Sequence, residues 1–162
     1  RFIEAFSLLA QKDSKLYLIC TGNKFSQGEE DKLSKLHIKN KTLQINASDK
    51  ELSELYTRAS LFVFPSLYEG FGIPILEAYA CHCPIAISNT SCFPEIAGDA
   101  AIYFDPYSVK DIANTIEAII YNPQKANELI QKGIKRLELY SWEKTVVETE
   151  ETYKKAIQGY NF

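Results

Sequence analysis

Residues 61–77 run Leu61-Phe62-Val63-Phe64-Pro65-Ser66-Leu67-Tyr68-Glu69-Gly70-Phe71-Gly72-Ile73-Pro74-Ile75-Leu76-Glu77. The first four form a continuous apolar run of strand length rather than an alternating one, which predicts a strand buried on both faces. A crossover helix follows such a strand, and Pro74 suits its first turn, where the missing N–H leaves nothing unsatisfied. Gly70 and Gly72 predict a sharp turn with close backbone approach to a ligand, since glycine has no Cβ to clash. Glu69 and Glu77 bracket this turn with seven residues between them.

Outward from this point, strand and helix patterns alternate. Upstream, a helix pattern opens at Phe2, Asp13-Ser14 makes a turn, and Leu16 to Cys20 reads as a strand ending at Thr21-Gly22-Asn23. Gly22 falls at a strand's carboxyl end, where ligands of open α/β sheets collect. Residues 27–37 read as a helix with Leu33 and Leu36 inward, and 42–45 as a short strand. Ser48 and Glu51 have capping-box spacing, which starts a helix at Asp49 that runs to about Arg58. Downstream, 84–88 and 100–104 read as strands joined by a polar loop, Asn89 to Glu95, at a carboxyl end. Ser108 with Asp111 caps a helix to about Tyr121, Asn122-Pro123 begins another, and Ser141 starts the last. Strict alternation implies parallel pairing with right-handed crossovers. Trp142, Val146 and Tyr153 make a docking stripe on the last helix.

The two glutamates stand at one mouth, Glu69 on the loop leaving the strand and Glu77 about one turn into the helix. Between them lie the free N–H groups of a helix N-terminus, which attract phosphate through unpaired donors and the positive end of the helix dipole. A central phosphate with hydroxyl groups at two flanking carboxylates suits a sugar nucleotide. Taken alone, glutamates near a helix start are commonly solvated residues favoured there by the dipole.

The segment resembles the Glu-x7-Glu motif of the retaining glycosyltransferases of family four, which have the two-domain GT-B fold. The resemblance continues upstream through Asp49-Lys50-Glu51-Leu52, Leu55-Tyr56 and Ala59-Ser60. Downstream it takes in Glu77-Ala78-Tyr79-Ala80, Pro84 to Ser88, Pro94 to Ala101, Phe104-Asp105-Pro106 and Ser141 to Thr145. It implies an α/β, Rossmann-like parallel sheet with helices on both faces, the C-terminal half of a GT-B enzyme. In the family the first glutamate contacts the transferred sugar, the second the ribose, and backbone amides between them hold the diphosphate. The matching residues are Glu69 as the catalytic position, with Gly70, Phe71, Gly72, Ile73 and Glu77 binding the donor; Gly22 joins them from its strand end.

The resemblance implies no cofactor, the nucleoside diphosphate sugar being substrate. It also implies a final helix that crosses back to the other half of the enzyme. The chain opens at Arg1 with a helix pattern and has no methionine, and is expected to be part of a longer protein. The family's first strand of this half, a loop with an Arg and Lys pair that grips the diphosphate, and the N-terminal acceptor half are all expected to lie outside residues 1–162. A gap between strands 16–20 and 61–64 follows from that expectation. Glycan or lipid acceptors would be met through the other half, with peripheral membrane contact of the full-length enzyme allowed. Ile45, where the family often has Gly, and Cys92, where Gly or Ser is common, bear on base preference.

The bulk properties exclude several classes. At 162 residues and 46% hydrophobic composition the chain supports one domain with a substantial core. A net charge of -3 gives no electrostatic footprint for nucleic acid, and Lys32, Lys35, Lys39 and Lys41 read as a solvated face. No apolar stretch spans a bilayer, and the chain reads as cytoplasmic. Cys20, Cys81, Cys83 and Cys92 have no framework spacing and read as free thiols. Cys81-His82-Cys83 lacks the further ligands of a closed metal site. His82 stands where the family usually has glycine, which predicts a left-handed helix cap. No third glycine follows Gly70 and Gly72, no Walker-type Gly-Lys-Ser/Thr occurs, and His37 and His82 suggest no Ser/His/Asp arrangement. A sugar-nucleotide epimerase of the same architecture and a non-catalytic nucleotide-sugar module remain as alternative functions, because fold alone separates neither from a transferase.

Overall fold

The computed structural model describes residues 1–159. Among these residues, five strands, β1 (Leu18–Thr21), β2 (Thr42–Ile45), β3 (Phe62–Phe64), β4 (Ile85–Ser88) and β5 (Ile102–Phe104), alternate with helices and pair in parallel. The α-helices are α1 (Phe2–Lys12), α2 (Gln27–Lys35), α3 (Asp49–Arg58), α4 (Ile73–Ala80), α5 (Phe93–Ala97), α6 (Val109–Ile120), α7 (Pro123–Leu137) and α8 (Trp142–Gly159). Capping explains the starts. Ser48 and Glu51 form the expected reciprocal box at α3, Ser26 and Glu29 form a second at α2, and the Ser108 and Asn122 side chains cap α6 and α7.

The strands fall into two ladders, β1-β2 and β3-β4-β5, and no pairing joins β1 to β3 among the described residues. The discontinuity expected from the sequence is therefore present. Side chains bridge it instead. On α1, Ala5 and Leu9 pack with Ala86, Phe104 and Ile112 over one ladder, while Phe6 packs with Leu33 and Ile38 beside the other. Ion pairs reinforce α1 on either side, Lys12 to Glu117 on α6 at 3.1 Å and Lys32 on α2 to Glu4 at 2.8 Å. Each is exposed and contributes little beside the apolar burial.

Helices cover both faces of the three-stranded ladder. β4 is buried at all four positions because alternate side chains face opposite layers. Ile85 and Ile87 pack with Ile75, Tyr79 and Phe93, whereas Ala86 meets α1 and α6. Fully burying an isoleucine is worth about 1.5–3 kcal/mol, so this central strand anchors the layer that carries the site. An aromatic chain extends it, with Tyr56 edge-on to Phe62 at 5.1 Å and Phe64 against Phe93 at 5.1 Å.

Several boundaries differ from the sequence reading: the helix read over 27–37 ends at Lys35, because His37 turns left-handed beyond it, and the strands read over 61–64, 84–88 and 100–104 begin later, at Phe62, Ile85 and Ile102. The strand expected at 16–20 spans Leu18–Thr21, because Leu16 packs into the core ahead of the ladder. The loop expected at Asn89–Glu95 stops at Cys92, and α5 begins at Phe93 with Pro94 in its first turn. Helices α2 and α4 both end in a Schellman motif with histidine in the left-handed position. His82 has φ 56°, with His82 N–H on Tyr79 O at 3.0 Å and Cys83 N–H on Ala78 O at 2.9 Å. His37, also at φ 56°, repeats the pattern with Ser34 O and, through Ile38, Leu33 O. His82 is exposed, so only its backbone conformation matters. His82→Gly is expected to raise stability by about 1 kcal/mol, the left-handed cost removed less the entropy glycine adds to the unfolded chain. A melting midpoint at or below the parent's would contradict this.

Candidate functional site

The polypeptide leaves β3 at Phe64, crosses Ser66 to Phe71, and enters α4 through Gly72. Gly72 has φ 101° and ψ 45°, and a Cβ there would approach Ile75 Cδ1 to 3.1 Å and Phe93 Cε1 to 3.4 Å. Glycine is required here on both counts. Gly70 has no left-handed backbone, and a Cβ added to it would meet nothing within 4 Å, so it leaves open space and does not make the turn.

Proline and a tight first turn thin out the donors of α4. Pro74 has no N–H, and Ile75 N–H is taken by Gly72 O at 2.9 Å. What remains is a run along the loop: among the described residues, no hydrogen bond takes up the N–H groups of Gly70, Phe71, Gly72 or Ile73. The free donors expected between the glutamates are therefore present, and three of the four precede the helix. Phe71 and Ile73 are exposed, and the Phe71 ring rests edge-on against Tyr140 at 5.8 Å.

The glutamates are held by different neighbours. Ser66 donates to Glu69 Oε1 at 2.9 Å, leaving the second oxygen without a side-chain partner among the described residues. Tyr56, 7% exposed on α3, donates to Glu77 Oε2 at 3.3 Å. Burial and then the Glu77 carboxylate raise the Tyr56 hydroxyl above its ordinary pKa, which keeps it a donor. Both carboxylates are half-buried.

A third element closes in from the carboxyl end of β4. Ser91 Oγ accepts from Glu69 N–H at 3.3 Å and donates to Glu69 O at 2.9 Å. Cys92 Sγ lies 3.3 Å from Glu69 O and 3.0 Å from Phe71 O. Sequence reasoning placed this loop at the same end of the sheet but missed these contacts. The positive φ of Ser91, 55°, is the feature that marks it.

Gly22 lies apart from this cluster. It follows β1 at φ 126°, and its hydrogen bonds run to β2, from Gly22 N–H to Ile45 O at 3.0 Å and from the Gln44 side-chain amide to Gly22 O. It keeps a strand-end position in the smaller ladder without touching the glutamate loop through a hydrogen bond. A pocket of about 350 Å³, lined by Asn89, Thr90, Asp105, Tyr107 and Asp111, opens at the same carboxyl end, beside the loop rather than over it.

All four cysteines are free. Burial pushes the Cys83 thiol up to about 12, which makes it inert at neutral pH. Among the described residues no three metal-ligating side chains gather, and Cys81, His82 and Cys83 spread around the end of α4. No helix of the described residues is long and apolar enough to cross a membrane.

Parallel ladders between helices, with a glycine turn and two carboxylates along the segment from β3 into α4, define an α/β domain, and its solved structural neighbours have the GT-B fold. The C-terminal domain of the group 1 glycosyl transferase LpcC from Francisella tularensis superposes with a TM-score of 0.74 at 24% identity, over 85% of this chain and 76% of that one. An Anabaena protein, HepE, solved with UDP and glucose, gives 0.80 at 19% identity, over 93% of this chain and 44% of that one. Among curated proteins, O-antigen chain mannosyltransferase B of Escherichia coli is 38% identical over 106 residues, 65% of this chain and 28% of that protein. Residues 1–136 match the family Glycosyl transferases group 1, and the chain belongs to that family. It spans less than a third of that mannosyltransferase's length.

Proposed function

We propose that this chain is the donor-binding half of a retaining, two-domain glycosyltransferase that takes a sugar from a nucleoside diphosphate sugar. The observation that carries the reading is the run of unpartnered N–H groups from Gly70 to Ile73, flanked by Glu69 and Glu77. Negative charge builds on the diphosphate as the glycosidic bond breaks. Fixed backbone donors stabilise it without reorganising, which is where such groups have their largest effect. Glu69 holds the sugar in reacting orientation and contributes by positioning rather than proton transfer. Glu77 accepts from the ribose hydroxyls, held in place by Tyr56.

The gap between β1 and β3 supports an assignment as a C-terminal domain whose missing strand comes from elsewhere in a longer protein. The similarity to an O-antigen mannosyltransferase supports mannose as the first sugar to test and a growing glycan as acceptor, read by the other half of the enzyme in the cytoplasm or at the membrane face.

The test is a panel of GDP-mannose, UDP-glucose and UDP-N-acetylglucosamine against the full-length protein, read by thermal shift and product mass. Only a ligand that prefers the folded state raises the midpoint. Transfer with the donor's anomeric configuration kept supports the reading. An isomerised donor without acceptor would instead mean an epimerase, and binding without turnover a module.

Glu77→Ala is expected to weaken donor binding by about 1–3 kcal/mol, the range for a lost hydrogen bond to a charged acceptor. Calorimetry with the active donor measures it. Unchanged affinity would reduce Glu77 to an ordinary helix residue.

A further inference from the structure

Ser91 combines two properties that a solvent-facing loop residue rarely has together. It is exposed, yet its backbone sits at φ 55°, a region where an ordinary side chain is strained and glycine is not. The turn it opens is closed by Phe93 N–H on Thr90 O at 3.3 Å, with Cys92 next at φ -80° and ψ -5°. Nothing in this turn demands a serine; its geometry alone favours glycine at that position.

What the serine adds is a two-bond clip on one residue of another loop. Its hydroxyl accepts from Glu69 N–H and donates to Glu69 O, so both polar backbone atoms of that residue are held by one side chain 22 residues away. Ser66 holds the Glu69 carboxylate from within the same loop, and Cys92 Sγ lies against Glu69 O and Phe71 O. Beyond Ser91 and Cys92, the Glu69 backbone has no other anchor among the described residues. Strain that persists beside a candidate active site is a reason to look for a role there.

We infer that Ser91 is a positioning residue for sugar transfer: its left-handed turn carries the hydroxyl that fixes the Glu69 backbone, and through it the Glu69 carboxylate, while leaving the N–H groups from Gly70 to Ile73 free. This rests on the donor-site reading above. Of the phosphate donors the clip shares a peptide only with Gly70 N–H, through Glu69 O, and it touches neither Glu77 nor the N–H groups of Phe71, Gly72 and Ile73, so it governs turnover more than donor affinity.

Two variants separate the clip from the strain. Ser91→Ala and Ser91→Gly both lose the hydroxyl, but only the second relieves the backbone. In the full-length protein Ser91→Gly melts above Ser91→Ala, while both lower kcat by on the order of tenfold, with donor Kd within about twofold of the parent. Donor cleavage is followed as free nucleoside diphosphate from GDP-mannose, UDP-glucose or UDP-N-acetylglucosamine, whichever the parent uses. A purely structural serine predicts the reverse, with turnover recovering alongside stability in Ser91→Gly. Parental kcat in Ser91→Gly overturns the inference. Glu69→Gln is run beside them: if it keeps full turnover, the donor-site reading falls, whereas an inactive Glu69→Gln with a fully active Ser91→Gly removes only the role of Ser91.

Discussion

Glu69→Gln in the full-length protein is expected to cut turnover by on the order of a hundredfold while leaving the domain folded. The magnitude follows from what positioning is worth, since a misplaced reacting group costs about that much even when every other contact survives. Folding is spared for a specific reason. Glu69 stands on a loop, half-buried, and Ser66 donates to the oxygen that an amide would keep. The loop backbone is anchored through Ser91, not through the carboxylate. Steady-state kinetics with the active donor, alongside a circular-dichroism melt, checks both halves. Parental turnover would take Glu69 out of the site, and a collapsed melt would make it structural.

This expectation differs from the one for Glu77 because the two carboxylates are built into the fold differently. Glu77 is within a helix whose position is set by core packing on both sides, Ile75 and Ala78 below it and Tyr56 across from it. Its orientation is a by-product of the core. Glu69 is set by hydrogen bonds between loops, a weaker and more local device.

Local rules exposed most of the architecture in the sequence. Capping serines and prolines gave the starts of α3, α6 and α7, and the unbroken apolar run gave β3. His82 was legible as a left-handed cap because it stands where the resembling family has glycine. His37 adopts the same conformation but had no such marker, and the Leu33 and Ile38 contact that closes its motif only shows in three dimensions. The short α5 was hidden because Asn89 to Glu95 read as one polar loop that covers its first turn, although Pro94 was its available signal. The Glu69 to Ile73 turn was legible through Gly72, whose φ and neighbours both require glycine. Its supports were not. Tyr56 and Ser91 reach the two glutamates across 21 and 22 residues, and no periodicity or spacing encodes a contact made between separate elements.

Gly133→Ala tests a further contact between distant elements, α7 against α4, and should destabilise the domain even though helix propensity argues the other way. In an open helix interior, alanine in place of glycine gains about 0.5–1 kcal/mol. Gly133 is on α7 where it meets α4, and an added Cβ would run into the Tyr79 ring, 2.9 Å from Cε1 and 3.0 Å from Cγ, with Cδ1 nearer still. Tyr79 is 2% exposed among Ile75, Ile85, Ile96 and Ala97, and its hydroxyl is buried without a partner among the described residues, so the ring is closely surrounded and has little space to move into. Overpacking of this kind costs about 1–3 kcal/mol, which outweighs the propensity gain. The helices must part, and Tyr79 lies two residues beyond Glu77 on α4, so donor affinity should weaken along with stability. Urea melts of Gly133→Ala in the parent and in a Tyr79→Leu background isolate the cause, because removing the ring should make the added methyl neutral or favourable. A Gly133→Ala protein more stable than its parent, or an equal loss in both backgrounds, would mean that contact with Tyr79 does not set the spacing of α4 and α7.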